Sequence, residues 1–253
     1  MKDLSIVLVS MNNVSDVRKT VKSILTILGS DIQLIVIDSS SNKSIEQTIK
    51  SINCDAEIIY EWQEPQGIYP AMNAAISLSG DENLIWFLNP GDTLTDSRIL
   101  SELRRKIDKD RKEWGFAQAV AENPKGAIPF PDSSDLISSF ELLSGRLRIS
   151  HQAMLISKNS LQNIGNFDVT FKIASDFQMQ YRLLASSEPS FVESVLVQFD
   201  TAGISHDRLF LTFLESTRIR IRSGEIPLRT IFVISLRIVC RRVVGFVRNR
   251  MGV

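Results

Sequence analysis

Three short apolar runs, each closing on polar residues, constrain the fold of this chain more than any other feature. Leu4–Ser10 (LSIVLVS), Gln33–Asp38 (QLIVID) and Asn83–Leu88 (NLIWFL) are too short for helices. Their β-branched and bulky residues read as strands buried on both faces. Helical patterns lie between them. Val14, Val17, Val21, Ile24, Leu25 and Leu28 recur at helical spacing and stop at Gly29. Ser44–Ile52 and Ala71–Leu78 read as further helices, and Glu57–Tyr60 as another strand. Alternating strands and helices predict right-handed βαβ units and a mostly parallel, Rossmann-like sheet over residues 1–100. Ligands of such sheets sit beyond the carboxyl ends of the strands. Ser10-Met11-Asn12, Asp38-Ser39-Ser40 and Asn89-Pro90-Gly91-Asp92 are therefore expected to face one crevice.

Beyond residue 100 the pattern loosens. Residues 116–150 are rich in Pro, Ser and Gly and are expected to form irregular surface loops. Order returns over 151–199, with a turn at Gly165-Asn166 and a helix at about Ser175 to Ala185. With 253 residues, 43% hydrophobic and 23% charged, the chain is neither disordered, collagen-like nor a disulfide scaffold. Cys54 and Cys240 are too few and too far apart for a zinc site, and read as buried thiols in a reducing compartment. No signal peptide is visible at the amino terminus. The longest apolar stretch, Ile231 to Cys240, is interrupted by Arg237, which argues against a spanning helix.

Net charge is zero, but it is divided unevenly. Residues 218–253 hold nine arginines against one acid, Glu225, a net of +8, so the preceding residues carry −8. An acidic body with a basic tail speaks against nucleic acid as a partner, and points the tail toward something else that is anionic.

Several chemistries are excluded by missing motifs. There is no GxGxxG after the first strand, no GxxxxGK[ST] loop and no GxSxG, and His151 and His206 give no triad spacing. A phosphate-bearing ligand would then need another clamp, and a divalent cation held by carboxylates is the usual one.

The string EPQGIYPAMNAAISLSGDENLIWFLNPGDTL, with a first strand ending in SMNN, a second ending in Asp38, and downstream HQ, GNFD and ASD segments, resembles the family 2 glycosyltransferases of the GT-A fold. The likeness is to their bacterial surface-polysaccharide branch and spans roughly residues 4–205. It implies a nucleotide-diphospho-sugar transferase fold, α/β with helices flanking the sheet. It also implies a nucleotide-diphosphate sugar as donor and Mn²⁺ or Mg²⁺ as cofactor. The acceptor implied is a glycan, often lipid-linked in this branch.

Site residues follow from matching positions. Asp92 stands in the acidic-motif position and is the expected metal ligand; its other reading is a residue of the Pro90-Gly91-Asp92 bend. Asn89, where many relatives carry an aspartate, could bind only as a neutral oxygen donor or through water. Asp38 resembles the acid that contacts the base or ribose of the donor, with Ser10 and Met11 lining the same pocket. Gly67 and Asn73 lie in the segment that crosses beneath the donor, though Asn73 reads equally as a polar helix residue facing solvent. Asp176 resembles the catalytic aspartate, the general base that takes the acceptor's proton; alone it reads equally as a first-turn acid of its helix. His151-Gln152 resembles the HQ pair bordering the acceptor, and Asp168 reads as a turn residue. A single base without an enzymic nucleophile implies inversion.

Departures from the family pattern are concentrated on the donor side. Gln66 replaces a charged residue, EPQG is one residue shorter than EPDKG, and Pro70 replaces an aspartate. Ala74-Ala75 replaces Lys-Gly, and Ser39-Ser40-Ser41-Asn42 lacks the Gly and second Asp of DGSxD. They support a rival reading, a catalytically weak or inactive relative that binds sugar nucleotides or glycans. Donor hydrolysis with Mn²⁺ separates the two. The expected organisation is a catalytic domain at 1–206 and a basic amphipathic helical extension at 207–253. Arginines 218, 222, 229, 237, 241 and 248 are spaced by 4, 7, 8, 4 and 7, same-face steps of a helix. That face reads either as peripheral contact with an anionic membrane, which fits a cytoplasmic enzyme at the inner membrane, or as the solvated side of a helix packed on the catalytic domain.

Overall fold

The computed structural model describes residues 3–121, 129–131, 137–199, 209–231 and 234. Its strands are β1 (Leu4–Ser10), β2 (Ile32–Asp38), β3 (Glu57–Trp62), β4 (Leu84–Phe87), β5 (Thr93–Leu94), β6 (Trp114–Ala121), β7 (Met154–Ser157) and β8 (Ser190–Phe199). Its helices are α1 (Val14–Ile24), α2 (Ser44–Lys50), α3 (Ile68–Leu78), α4 (Ser97–Asp110), α5 (Ser139–Ser144), α6 (Lys158–Asn163), α7 (Ser175–Ser186) and α8 (Leu209–Ser223). The strands form one sheet in the order β3-β2-β1-β4-β7-β6-β8-β5. The β3-β2-β1-β4 half is parallel throughout, as the alternating pattern requires. β7 runs antiparallel to both β4 and β6. The chain leaves β1 toward β2 and β3, then returns to place β4 on the other side of β1. That reversal is a topological switch point, where open α/β sheets bind ligands.

Each central strand buries both faces, so alternate residues feed two apolar layers. Ile6, Leu8, Leu34 and Val36 pack against Val17, Val21 and Ile24 of α1, Ile45 and Ile49 of α2, and Leu103 and Ile107 of α4. Val7, Ile35, Ile37 and Phe87 pack against Met72 and Ile76 of α3 and Met179 and Leu183 of α7. A third cluster joins Leu143, Phe171 and Ala174 to Ile219 of α8 and to Ile226 and Ile231 beyond it. The carboxy-terminal segment is thus docked through a buried apolar face as far as Ile231.

The structure corrects one expectation about the middle of the chain. Residues 114–121, partly assigned to loops above, form a sheet strand paired with both β7 and β8. Its sequence, WGFAQAVA, lacks the β-branched signature because its neighbours lie close. A Cβ on Gly115 would stand 2.8 Å from the Ser190 carbonyl oxygen, so only glycine fits. The arginines at 237, 241 and 248 and the second cysteine, Cys240, lie outside the described residues.

Candidate active site

The registers bring the expected polar ends together. Ser10 pairs with Asp38, and Asp38 with Trp62, at the carboxyl ends of β1, β2 and β3. The loops behind them are laced to one another: Ser39 N–H donates to the Ser10 carbonyl, Asn12 N–H to Ser40 Oγ, and Ser41 N–H to Asn12 Oδ1. Met11, 57% exposed, and Trp62, 50% exposed, stand at the rim. Trp62 Nε1–H is tied to the Ser40 carbonyl at 2.8 Å, which fixes the indole while leaving an apolar face open. The sequence reading passed over this residue; its signal is an aromatic side chain at the carboxyl end of a parallel strand.

Asp38 is fully buried. One carboxylate oxygen accepts from Ser40 N–H and Oγ, the other from the Tyr60 hydroxyl at 2.7 Å. Burial, then the Asp38 carboxylate, push the Tyr60 phenol well above its ordinary value, so it stays a donor. Asp38 forms the floor under the crevice, its carboxylate engaged by Ser40 and Tyr60. The Ser10 hydroxyl is buried beside it without a hydrogen-bond partner among the described residues.

Asn89-Pro90-Gly91-Asp92 makes a turn closed by Asp92 N–H donating to the Asn89 carbonyl at 3.1 Å. Pro at the second position and Gly91 with φ +100° at the third suit a type II turn. Buried Thr20 of α1 clamps it, accepting from Gly91 N–H at 2.9 Å and donating to the Asp92 carbonyl at 2.8 Å. Its backbone closes the bend, and Asp92 as a whole is 3% exposed. No group of three or more His, Cys, Asp or Glu that could hold a metal exists among the described residues. One carboxylate nevertheless fits a Mg²⁺-type ion, which often takes one or two protein carboxylates and fills its shell with substrate phosphate oxygens and water.

Asp176, in the first turn of α7, lies at the centre of a second cluster. Its Oδ2 is 3.1 Å from His151 Nδ1, and its Oδ1 is 3.2 Å from the Tyr69 hydroxyl and accepts from Phe177 N–H at 2.9 Å. The opposite ring nitrogen of His151 is 3.3 Å from Asn89 Nδ2. With a proton on Nδ1 the ring donates to Asp176. Desolvation works to raise the Asp176 carboxyl, but the hydrogen bond and charge of His151, then Phe177 N–H and the Tyr69 hydroxyl, outweigh it. The carboxyl is held below its ordinary value. Tyr69 is pushed far the other way by burial and by the Asp176 charge. His151 joins two parts of the fold, because Asn89 follows β4 and Asp176 starts α7.

Further residues hold α7 in place. Glu215 of α8 is buried, and its carboxylate accepts three consecutive backbone N–H groups, from Lys172 at 2.8 Å, Ile173 at 2.9 Å and Ala174 at 3.0 Å. These are the residues immediately before α7, so the extension anchors the segment that presents Asp176. The Tyr69 hydroxyl reaches the Ile173 carbonyl in the same segment. Sequence reasoning missed both contacts.

Asn73 of α3 contacts the segment before α7. Its amide donates to the Phe167 carbonyl at 2.9 Å and accepts from Phe167 N–H at 3.0 Å. Both polar ends are engaged by backbone, so Asn73 pins the GNFD segment to α3. Gly67 opens α3 with φ +108°, a conformation that side chains strain to adopt. Beside Asp176 opens a cavity of about 430 Å³, within the range of small-ligand pockets.

Comparison with known proteins agrees with this geometry. The model of the family described as glycosyl transferase family 2 matches residues 5–159. Two proteins of Mycobacterium tuberculosis strains, each described as an uncharacterized glycosyltransferase, are 28% identical over 214 residues, covering 81% of this chain and 78% of each relative. Among solved structures, S. aureus TarS superposes with a TM-score of 0.65 at 15% identity, over 87% of this chain. The chain spans only 39% of that TarS chain. TarS 1–349 in complex with UDP-GlcNAc gives 0.66 at 14% identity, covering 87% of this chain and 66% of that one. A mannosyltransferase from Pyrobaculum calidifontis, in complex with GDP-Man and Mn²⁺, gives 0.58 at 12% identity over 85% of this chain and 64% of its own. At these identities the superpositions establish a shared GT-A fold.

Proposed function

Because the chain belongs to glycosyl transferase family 2, we propose that it moves a sugar from a nucleotide-diphosphate donor to a hydroxyl of a glycan acceptor, inverting the anomeric carbon with Asp176 as general base. The observation that carries this reading is the Asp176–His151 contact at 3.1 Å on the wall of a cavity.

The step balances with these residues alone. The acceptor hydroxyl loses its proton to Asp176 as its oxygen bonds to the anomeric carbon, and the bond from that carbon to the diphosphate oxygen breaks. A carboxylate held below its ordinary value is ionised at neutral pH and ready to accept the proton. The Nδ1–H of His151 and the Tyr69 hydroxyl hold it against rotation. No enzymic nucleophile needs to be invoked, so one displacement, and hence inversion, is the economical course.

On the donor side we assign the diphosphate to the turn at Asn89–Asp92 and the nucleoside to the crevice among Ser10, Met11, Gly67 and Trp62, over the Asp38 floor. Asp92, with the amide oxygen of Asn89, would hold a divalent cation against the diphosphate, where it would offset charge developing on the leaving group. The rival, a binding protein without turnover, draws on Asn89 and Pro70; the assembled Asp176–His151–Asn89 chain favours the enzyme. Release of nucleoside diphosphate from a panel of nucleotide sugars with Mn²⁺ separates them, since a pure binder releases none.

The acceptor side extends the proposal to a lipid-linked glycan met at an anionic membrane surface. Arg218, Arg222 and Arg229 are exposed on the docked carboxy-terminal segment. No helix among the described residues is long and apolar enough to cross a membrane. Co-sedimentation with anionic vesicles that weakens as salt rises supports peripheral contact, and its absence rejects it.

A further inference from the structure

The geometry points to an oxyanion subsite at Arg220, on the wall of the Asp176 cavity, that reads a phosphate or carboxylate carried by the acceptor. The inference rests on the glycosyl-transfer reading above and specifies its acceptor.

Arg220, from α8, is 7% exposed yet lines the cavity. Its Nε–H donates to the Leu143 carbonyl at 2.8 Å, and its guanidinium lies 4.9 Å over the Phe177 ring. These contacts fix the plane of the guanidinium and engage only part of its five-donor fork. Burial pulls the group down to about 10, with no acidic neighbour raising it, so it remains protonated at neutral pH. No ion pair joins it to a carboxylate among the described residues, whereas buried Arg104 is bound to Asp31 at 2.8 Å. A buried charge is costly unless a counter-charge meets it. An oxyanion entering the cavity supplies that counter-charge, and the planar fork suits phosphate or carboxylate.

Other residues make the subsite directional. Exposed Arg148 lines the same cavity, its guanidinium 4.5 Å over the Phe130 ring. Leu147 and Ile234 add apolar wall. Asp176 lines the same cavity and is its anionic pole. An acceptor with a free hydroxyl and a nearby anion is therefore oriented, with its anion turned to Arg220 and away from Asp176, and its hydroxyl toward the base. A neutral acceptor has no such preference.

The test uses two pairs of probes that differ by the anion: p-nitrophenyl β-D-glucuronide with the corresponding glucoside, and glucose 6-phosphate with glucose. Binding to the full chain is titrated by NMR, alone and with saturating UDP or GDP, for wild type, Arg220→Met and Arg148→Gln. We expect wild type to prefer one or both anionic members by about tenfold or more, the scale of a charge-assisted hydrogen bond. The preferred pair tells carboxylate from phosphate. The preference is lost in Arg220→Met and reduced in Arg148→Gln, whose exposed site keeps the test intact if the first variant fails to fold. Equal binding of both members by wild type overturns the subsite, as does a preference that survives in folded Arg220→Met. A preference abolished by saturating nucleotide places the anion on the donor side and also overturns it. Nucleotide-sugar binding is measured in parallel. Its presence without anion preference sinks the subsite alone, whereas anion preference without it sinks the acceptor assignment together with the transferase reading.

Discussion

His151 Nδ1 lies 3.1 Å from Asp176 Oδ2, and the far side of the same ring lies 3.3 Å from the amide of Asn89. One imidazole thus joins the turn after β4, which we assign to the donor's diphosphate, to the carboxylate that begins α7.

The Asp176 environment predicts a specific acid response. Its folded carboxyl is held below the ordinary value, so its contribution to stability is complete above that value and is lost as pH falls through the folded one. The melting-temperature difference between wild type and Asp176→Asn should be flat from pH 7 to about 5 and shrink below about 4. A difference that is constant or grows on acidification contradicts the assignment.

Asp92→Asn should weaken Mn²⁺-dependent nucleotide binding and leave the fold intact, because Thr20 clamps the turn through backbone atoms and the Asp92 carbonyl rather than the carboxylate. Calorimetric titration of nucleotide with and without Mn²⁺ reads this directly. Unchanged metal dependence would remove Asp92 from the site.

Glu215→Gln tests whether the carboxy-terminal helix serves the catalytic segment. Glutamine offers one acceptor oxygen to a nest of three N–H donors and turns an NH₂ toward them, costing about 1–3 kcal/mol of stability. If Glu215 positions Asp176, kcat falls while the donor KM stays near wild type, measured where the variant is fully folded. Unchanged kcat in the folded variant would leave Glu215 a purely structural anchor.

Much of the amino-terminal half was legible because its signals are local. The runs at β1, β2 and β4 announce buried strands, and their polar ends are placed by the sheet itself. The helix that carries Asp176 in its first turn was legible from its own pattern. What escaped depends on pairs distant in sequence. Tyr69 meets Asp176 across 107 positions, Asn73 meets Phe167 across 94, and Glu215 caps residues 41 to 43 positions earlier. No periodicity or motif encodes such closures. β6 was obscured differently: tight packing at Ser190 demands Gly and small residues, which imitate a loop composition.

The central claim, that Asp176 takes the acceptor proton in transfer from a nucleotide sugar, is tested most directly by single-turnover transfer with wild type and Asp176→Asn, once a donor and an acceptor are in hand. Donor affinity should remain near wild type while the transfer rate falls by about 10²–10⁴-fold, the range for a lost general base. A folded variant that keeps more than about a tenth of the wild-type rate, well outside that range, would contradict the claim and leave Asp176 only its role in the first turn of α7.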